Sequence, residues 1–282
     1  MTASWRHPLE KGSAPPWAIA WGDDRYGIFA AFAVGPTDKQ VEQRMRWIPP
    51  GIFTMGSPET EQGRYGDEGP QHEVILTAGY WLGETPVTQA LWIAVMGKNP
   101  SRFRRKRPRS EERPVEQVSW DDCQMFIDRI NARIAAFGAR LPTEAEWERA
   151  CRARTTAATW VGDLSGVNIA AELEAIAWYQ ANSGGTTRPV GCKAPNPYGL
   201  YDMLGNVWEW CADDADRFGR KYVRTSLTMT DPVATGQGKH RFHRGGAWNS
   251  SAVHVRAAYR NADPGNARGG HIGFRLAASH CA

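Results

Sequence analysis

The chain has 282 residues, 41% of them hydrophobic and 23% charged, which is the composition of a soluble globular protein long enough to bury a sizeable core. Its 34 Lys and Arg against 30 Asp and Glu give a formal charge of +4, too mild to indicate a nucleic-acid partner. The 13 tryptophans and 29 glycines favour many short strands and turns around bulky aromatic anchors. Basic residues cluster in Arg102–Arg109, which is either a solvated loop or a phosphate-binding patch.

The cysteines and the apolar runs bear on the cellular compartment. Five cysteines, an odd number without a C-x-x-C pair, argue against a closed disulfide framework. No apolar run approaches the length that spans a membrane, and the first residues lack the charged start and apolar stretch of a secretory signal. We therefore expect a cytoplasmic protein without a membrane partner.

The first part of the chain is expected to form an N-terminal extension over 1–44 with a β-hairpin over 17–34. The strands of this hairpin, Trp17–Trp21 and Tyr26–Val34, flank the turn-rich link Gly22–Arg25. The hairpin either adds strands to the edge of the domain or mediates self-association. A single domain is expected over 45–282.

Three helices are predicted from their caps. Thr88 caps a helix that ends at Gly97, and Ser119 begins a second helix that ends before Gly138. Thr143 caps a third, with Glu146 reaching back in a capping box. After residue 155 only short strands and loops are expected. Helices early in the chain and irregular β structure late favour an α+β fold.

Seven sequence blocks occur in an order that is specific to one protein family. They are Trp47–Ser57 (WIPPGIFTMGS), Glu84–Gln89 (ETPVTQ), Pro114–Trp120 (PVEQVSW), Arg140–Glu148 (RLPTEAEWE), Asn196–Trp210 (NPYGLYDMLGNVWEW), Arg244–Trp248 (RGGAW) and Ile272–Leu276 (IGFRL). Over about residues 45–278 the chain resembles the formylglycine-generating-enzyme (sulfatase-modifying factor) family. The resemblance implies a C-type-lectin-like α+β fold with short strands, two or three helices and much irregular structure.

The block around Trp208 and Trp210 suggests a strand and a metal site. A strand would place both tryptophans on one face, expected to lie in the core, with Glu209 on the other face. In the resembling family, the Gly-Asn-x-Trp-Glu segment holds a structural calcium ion. Calcium takes about six to eight oxygens, so the sequence leaves open whether it is bound here, and no other cofactor is expected to be required. The residues that match this calcium segment are Gly205, Asn206, Val207 and Glu209.

The catalytic residues known in the family are missing. Its oxidases use two cysteines just after a Gly-Gly-Ser turn to bind copper and activate oxygen, whereas Gly245–Arg275 contains no cysteine. Losing these soft thiolates should remove cuprous copper along with the chemistry. A related branch binds iron through a His-x-x-x-His-x-Glu helix in an N-terminal domain. The N-terminal histidines here are His7 and His72, so no such domain is expected. His240 and His243 flank the Gly-Gly turn and favour surface or packing roles, so no catalytic residue is predicted.

The segment 245–276 resembles the variable region of proteins diversified by retroelements. In those systems, error-prone reverse transcription replaces template adenines, chiefly in AAY asparagine codons. Such codons can become Asn, Ser, Gly, Asp, His, Ala or Tyr, among others, but not Lys, Glu, Gln, Met or Trp. The candidate varied positions, all in the reachable set, are Asn249, Ser250, Ser251, His254, Tyr259, Asn261, Ala262, Asp263, Asn266, Gly269, Gly270 and His271. The frame between them, expected to be structural, consists of Gly245, Gly246, Trp248, Val255, Arg256, Ala257, Ala258, Arg260, Ile272, Gly273, Phe274 and Arg275.

Small polar residues and tyrosine on a rigid frame are what antigen-binding loops use for adaptable contacts. The sequence therefore predicts a non-catalytic ligand-binding protein that displays a diversified C-terminal surface, with the varied side chains exposed together. The alternatives are an oxidase of the formylglycine-generating type and an inactive homologue of one. The ligand is a protein or a small molecule, a nucleic acid is not expected, and the oligomeric state is left open.

Overall fold

The structure is a computed structural model that describes residues 14–104, 109–164, 169–215, 226–236 and 238–279. Residues 1–13 of the predicted extension and 105–108 of the basic run lie outside these ranges. The helices are α1 (Gln89–Met96), α2 (Trp120–Arg133), α3 (Glu144–Arg152) and α4 (Ile169–Ile176). The strands are β1 (Ala20–Asp24), β2 (Gly27–Val34), β3 (Val41–Ile48), β4 (Gly51–Met55), β5 (His72–Leu76), β6 (Tyr80–Gly83), β7 (Ala139–Arg140), β8 (Trp208–Ala215), β9 (Met229–Thr230), β10 (His240–Arg244), β11 (Arg260–Pro264), β12 (Ile272–Gly273) and β13 (Ala277–Ser279).

The described strands form three sheets. A six-stranded sheet has the order β1-β2-β3-β6-β13-β7, a four-stranded sheet the order β11-β10-β8-β12, and a three-stranded sheet the order β4-β5-β9. The six-stranded sheet is antiparallel throughout, whereas β12 joins β8 and β9 joins β5 in parallel. Short strands in several sheets beside a few separate helices confirm the predicted α+β class.

The predicted N-terminal hairpin is present at the edge of the six-stranded sheet. β1 pairs with β2, and β2 pairs with β3, so the hairpin adds strands to the same sheet as the rest of the chain. Asp24 pairs with Gly27, which makes Arg25 and Tyr26 the turn. The predicted link Gly22–Arg25 was therefore placed too early, and most of it belongs to β1. β1 can contain these polar residues because one of its edges has no partner strand among the described residues.

One aromatic side chain packs the chain just before β1 against the hydrophobic core. Trp17 is buried, and its ring centroid lies 5.5 Å from that of Trp81 and 4.9 Å from that of Phe137. Trp17 was predicted to lie in the first strand, but the strand begins at Ala20. Its indole instead belongs to the core that the six-stranded sheet shares with α2.

The three predicted helices are confirmed together with their caps. The Thr88 hydroxyl accepts a hydrogen bond from a backbone N–H of α1, and Gly97 caps the C-terminal end of α1 in the left-handed conformation. Ser119 and Thr143 begin the two predicted capping boxes, at α2 and α3. The expectation of only strands and loops after residue 155 is wrong, because α4 makes a fourth helix in the described ranges. None of the helices described is long and apolar enough to cross a membrane.

β8 lies between two hydrophobic clusters, and its alternating side chains point into one cluster or the other. Trp208 and Trp210 share one face, as predicted, and belong to the cluster that contains Phe126 and Phe274. Glu209 points the other way, toward Trp147 in the second cluster. This alternation buries a carboxylate between the clusters, where it needs a charged partner.

Replacing Gly97 by alanine should lower the free energy of unfolding by about 1 kcal/mol, because a Cβ strains the left-handed backbone at φ 87°. Urea unfolding measures this loss. Gly66→Ala is the matched control: a Cβ meets no atom within 4 Å at either glycine, but only Gly97 has a positive φ. Equal losses in the two variants would refute this backbone explanation.

Candidate binding surface

Exposure separates the candidate varied positions from the frame. Of the frame residues, Trp248 is half-buried and all the others are buried. Ser250 is a buried candidate: it is 8% exposed, and its hydroxyl accepts a hydrogen bond from the Ala247 backbone N–H. The candidates that are exposed or half-buried are Asn249, Ser251, His254, Tyr259, Asn261, Ala262, Asp263, Asn266, Gly269, Gly270 and His271. Three candidates, Asn249, Asn261 and Asn266, are exposed, eight are half-buried, and Ser250 is buried because its side chain closes a turn. That these positions form a varied surface stays a prediction.

The candidates lie on two loops and on the edge strand β11. β11 pairs antiparallel with β10, so that Asn261 lies opposite His243 and Arg260 lies opposite Arg244. Because successive side chains of a strand alternate, Arg260 enters the core while Asn261 faces solvent. The loops 249–254 and 266–271 carry the remaining candidates apart from Tyr259, which directly precedes β11.

The turn at Gly245 and Gly246 brings the segment against the core. Both glycines have positive φ angles, 97° and 74°. A Cβ would lie 2.8 Å from the Met203 carbonyl oxygen at Gly245 and 2.9 Å from the His254 carbonyl oxygen at Gly246. The turn therefore requires glycine at both positions, which agrees with their predicted place in the frame.

Arg256 ties the candidate segment to the loop between β4 and β5. Its guanidinium donates to both carboxylate oxygens of Glu68, at 2.5 and 2.7 Å, and to one oxygen of Glu61 at 2.5 Å. Burial favours the neutral form of Glu68, but the hydrogen bonds and charge of Arg256 outweigh it and lower the Glu68 pKa. For Glu61 burial prevails and raises the pKa. The contact is thus a buried ion pair with a second carboxyl group beside it.

Arg244 and Arg260 tie the same segment to α3. Arg260 donates through two nitrogens to the Glu144 carboxylate, and Arg244 donates to that of Glu148. Arg244 also donates to the three successive carbonyl oxygens of residues 257–259, at 2.9, 2.8 and 2.7 Å. These bonds hold the backbone just before β11 and fix where the Tyr259 side chain leaves the core.

Two of the candidates belong to an aromatic cluster. The His254 and Tyr259 rings stack with centroids 4.6 Å apart. Tyr65 contacts both, since its hydroxyl lies 3.0 Å from His254 Nε2 and its ring centroid 5.2 Å from that of Tyr259. The Trp208 ring lies 5.6 Å from Tyr259 on another side. Burial raises the pKa of Tyr259 to about 12, so its hydroxyl stays neutral.

Two residues of this aromatic cluster were not predicted as part of a site. Tyr65 is 46% exposed and lies in a glycine-rich loop without a periodic pattern, so nothing in the sequence places it beside Tyr259. Trp208 was predicted only as a core residue, and it is buried as predicted. The contacts between the candidate segment and these two residues come from the tertiary fold alone.

The histidines near the Gly-Gly turn form a polar and aromatic contact. His243 Nε2 lies 3.0 Å from a carboxylate oxygen of Asp263, and the His243 ring packs edge-on against Trp208 and Trp210. Burial lowers the pKa of His243 more than Asp263 raises it. The hydrogen bond from His243 lowers the pKa of Asp263. Across the described ranges, no group of three or more His, Cys, Asp or Glu side chains could hold a metal ion. Neither His240 nor His243 therefore belongs to such a group.

The carboxylate predicted to bind calcium is already occupied by side chains of this chain. Arg275 donates to both oxygens of Glu209, at 2.6 and 2.7 Å, and the Trp147 indole donates to one of them at 2.6 Å. The Asn206 carbonyl oxygen accepts the Trp248 backbone N–H at 3.0 Å. A cation at Glu209 would have to displace a guanidinium, so in this arrangement the donor set does not fit calcium, and calcium binding stays an untested prediction. The residues concerned are Gly205, Asn206, Val207 and Glu209.

The cysteines in the described ranges do not provide the thiolates of the family's oxidases. Burial raises the pKa of Cys151 to about 12, and it raises the pKa of Cys123 and of Cys211 well above the usual value, so these thiols are neutral. Cys192 is exposed, and Cys281 lies outside the described residues. The segment after the Gly-Gly turn, where the family resemblance places the copper ligands, has no cysteine.

Comparison with known sequences identifies the family. Residues 31–280 match the sequence model described as "Sulfatase-modifying factor enzyme 1-like domain". The chain belongs to this family. The formylglycine-generating enzyme of Thermomonospora curvata is 33% identical, with 85% of this chain and 95% of that enzyme covered. The serine/threonine-protein kinase pkn1 of Chlamydia pneumoniae is 31% identical over 86% of this chain, and this chain spans only 39% of the kinase's length.

Comparison with solved structures confirms the C-type-lectin-like fold and the second predicted resemblance. The structure of Treponema denticola variable protein 1 superposes with a TM-score of 0.75 at 32% sequence identity. The match covers 89% of this chain and 99% of that protein. This chain is therefore similar to a variable protein over most of its own length.

Arg256→Gln should lower the free energy of unfolding by about 3–5 kcal/mol, because it leaves the Glu68 carboxylate buried without its cation. Asn266→Ser, at an exposed candidate position, should change it by less than about 0.5 kcal/mol. Urea unfolding of both variants measures the difference. If both lost the same stability, the distinction between frame and candidate positions would not hold.

Proposed function

We propose that this protein is a non-catalytic binding protein that displays a diversified C-terminal surface on a lectin-like scaffold. The observation that carries the proposal is a difference in burial within one segment. Frame residues are buried apart from the half-buried Trp248, whereas candidates are exposed or half-buried apart from Ser250. A loop that performed catalysis would concentrate its polar groups in a pocket, whereas here they face outward. The likeness to Treponema denticola variable protein 1 supports the same function.

The chemistry of the exposed side chains also supports binding. Tyr259 and His254 present stacked rings next to Tyr65, and aromatic rings of this kind supply contact area with little loss of conformational entropy. Small polar side chains such as Asn261 and Asn266 surround them and offer hydrogen bonds of either polarity. The ligand of such a surface is a protein or a small molecule whose identity depends on which side chains are present.

A pair of libraries tests the proposal. One randomises the exposed and half-buried candidate positions with NNY codons, and the other randomises as many buried frame positions in the same way. Because side chains that face solvent bear little of the folding energy, most members of the first library should fold, and selection should enrich binders to an immobilised probe such as lysozyme. Most members of the second library should fail to fold.

The comparison of the libraries decides the outcome. Folding is measured as the protease-resistant fraction of each library before selection. If the candidate library unfolds as often as the frame library, or yields no binder to any of several unrelated probes, the display function is wrong. Sequencing the gene's surroundings is an independent check. A reverse transcriptase and a near-copy of codons 245–276 that differs at template adenines are expected.

An oxidase of the formylglycine-generating type is the second candidate, because the enzyme of Thermomonospora curvata aligns over 95% of its length. The protein is incubated with copper and a peptide containing Cys-x-Pro-x-Arg, and formylglycine is read by mass. No conversion is expected, since the segment after the Gly-Gly turn lacks cysteine. Turnover by the purified protein would overturn the non-catalytic proposal.

A further inference from the structure

A groove of about 650 Å³ lies between α1 and α2. On the α1 side it is lined by Trp92 and Met96, which are four residues apart and therefore share a helix face. On the α2 side it is lined by Asp122, Met125 and Arg129, which follow the same helical spacing. Met125 is 49% exposed, so the groove presents apolar surface to solvent. Its volume lies in the range of about 300–1,000 Å³ typical of ligand sites.

The groove is continuous with the candidate surface. Arg268 lines the groove and lies in the chain between the candidates Asn266 and Gly269. Gln117 also lines it, and its backbone N–H donates to the Gly269 carbonyl oxygen at 3.0 Å. A ligand bound to the loop 266–271 can therefore extend into the groove, whose other walls lie outside the candidate segment.

The charges around the groove are mainly positive. Among the described lining residues Asp122 is the one carboxylate, and both of its oxygens are used by Arg268, at 2.8 and 2.9 Å. One of them also accepts the Ser119 backbone N–H that begins α2. Lys98 and Arg129 are exposed and form no ion pair with any residue in the described ranges. Two uncompensated cations thus flank the apolar groove.

We propose that this groove binds an acidic peptide segment of a protein partner. Apolar side chains of the peptide contact Met96 and Met125, and its carboxylates face Lys98 and Arg129. Methionine side chains adapt to ligands of different shape, and complementary charge orients the partner as it approaches. The proposal rests on the proposed binding function and names its class of partner, with the groove as the fixed part of the site.

A nucleic acid, the other common polyanion, suits this groove less well. Single-stranded nucleic acids bind by stacking bases on exposed aromatic rings. The Trp92 ring is 4% exposed, and its indole N–H donates to the Lys98 carbonyl oxygen at 3.0 Å. The exposed apolar side chains that line the groove are Pro100 and Met125, neither of which is aromatic, and a thioether suits leucine or phenylalanine side chains better than bases.

The test measures binding of fluorescent peptides to the full chain by anisotropy. The probe peptide is helical, with leucines along one face and glutamates elsewhere. One control peptide has lysine in place of every glutamate, and another has serine in place of every leucine. We expect the probe to bind in a salt-dependent way and each control peptide to bind at least about tenfold more weakly.

Charge-reversal variants locate the binding. Lys98→Glu combined with Arg129→Glu should weaken binding of the probe peptide at least about tenfold, because the carboxylates of the peptide would then face glutamates of like charge. Arg25→Glu combined with Lys39→Glu makes the same change in net charge at two other exposed residues, one in the β1–β2 turn and one between β2 and β3, and should leave binding unchanged. All these side chains are exposed, and equal urea midpoints verify that each variant folds.

Three results would overturn the groove proposal. These are equal binding by the two charge-reversal variants, equal binding of the lysine peptide, and tighter binding of an oligothymidylate that depends on Lys98 and Arg129. Tyr259→Ser combined with His254→Ser changes the candidate surface and should leave the probe bound. If the probe peptide binds in the groove but the candidate library fails, the display function is refuted and the groove proposal stands. If the library yields binders but the probe peptide does not bind in the groove, the groove proposal is refuted and the display function stands.

Discussion

Four arginines between residues 244 and 275 are buried, and each one forms an ion pair with a buried glutamate from an earlier part of the chain. A guanidinium that lost its carboxylate would remain in the core as an uncompensated charge, which costs several kcal/mol. Donation through two nitrogens also restricts the relative orientation of the two groups, as the Glu68 and Glu209 contacts show. These contacts therefore specify the path of the segment more than they add stability. The pairs are Arg244–Glu148, Arg256–Glu68, Arg260–Glu144 and Arg275–Glu209.

The same contacts separate the backbone path from the outward side chains. Arg244 binds the carbonyl oxygen of Tyr259, and a carbonyl is present whatever side chain position 259 carries. The β10–β11 ladder likewise uses backbone groups, so Asn261 can be exchanged without removing a ladder bond. Ser250 differs because its own hydroxyl closes the turn at Ala247. Tolerance to substitution therefore follows from whether the frame holds a residue by its backbone or by its side chain.

The sequence predicted features that depend on neighbouring residues. Helix starts at Thr88, Ser119 and Thr143 were predictable because a cap and its partner lie within three residues. The burial of the frame in 245–276, apart from the half-buried Trp248, followed from the family pattern, whereas the burial of Ser250 did not. The hairpin turn was displaced because polar residues of edge strand β1 resemble a turn, and α4 was missed although Ala, Leu and Glu favour helices. The partners of the buried arginines were not predictable, since Arg256 and Glu68 are separated by 188 residues.

The composition of the candidate surface limits how a ligand can bind to it. A hydrogen bond from an exposed Asn or Ser contributes about 0.5–1.5 kcal/mol net, whereas association costs at least about 4 kcal/mol in lost translational and rotational freedom. Small polar side chains alone therefore contribute more to specificity between ligands than to the affinity for any one of them. Fixed apolar groups must supply much of the affinity, and Tyr65 and the α1–α2 groove are such groups at the border of the surface. Under the proposed function, substitutions in the segment would then change which ligand is chosen while the fixed groups keep binding measurable.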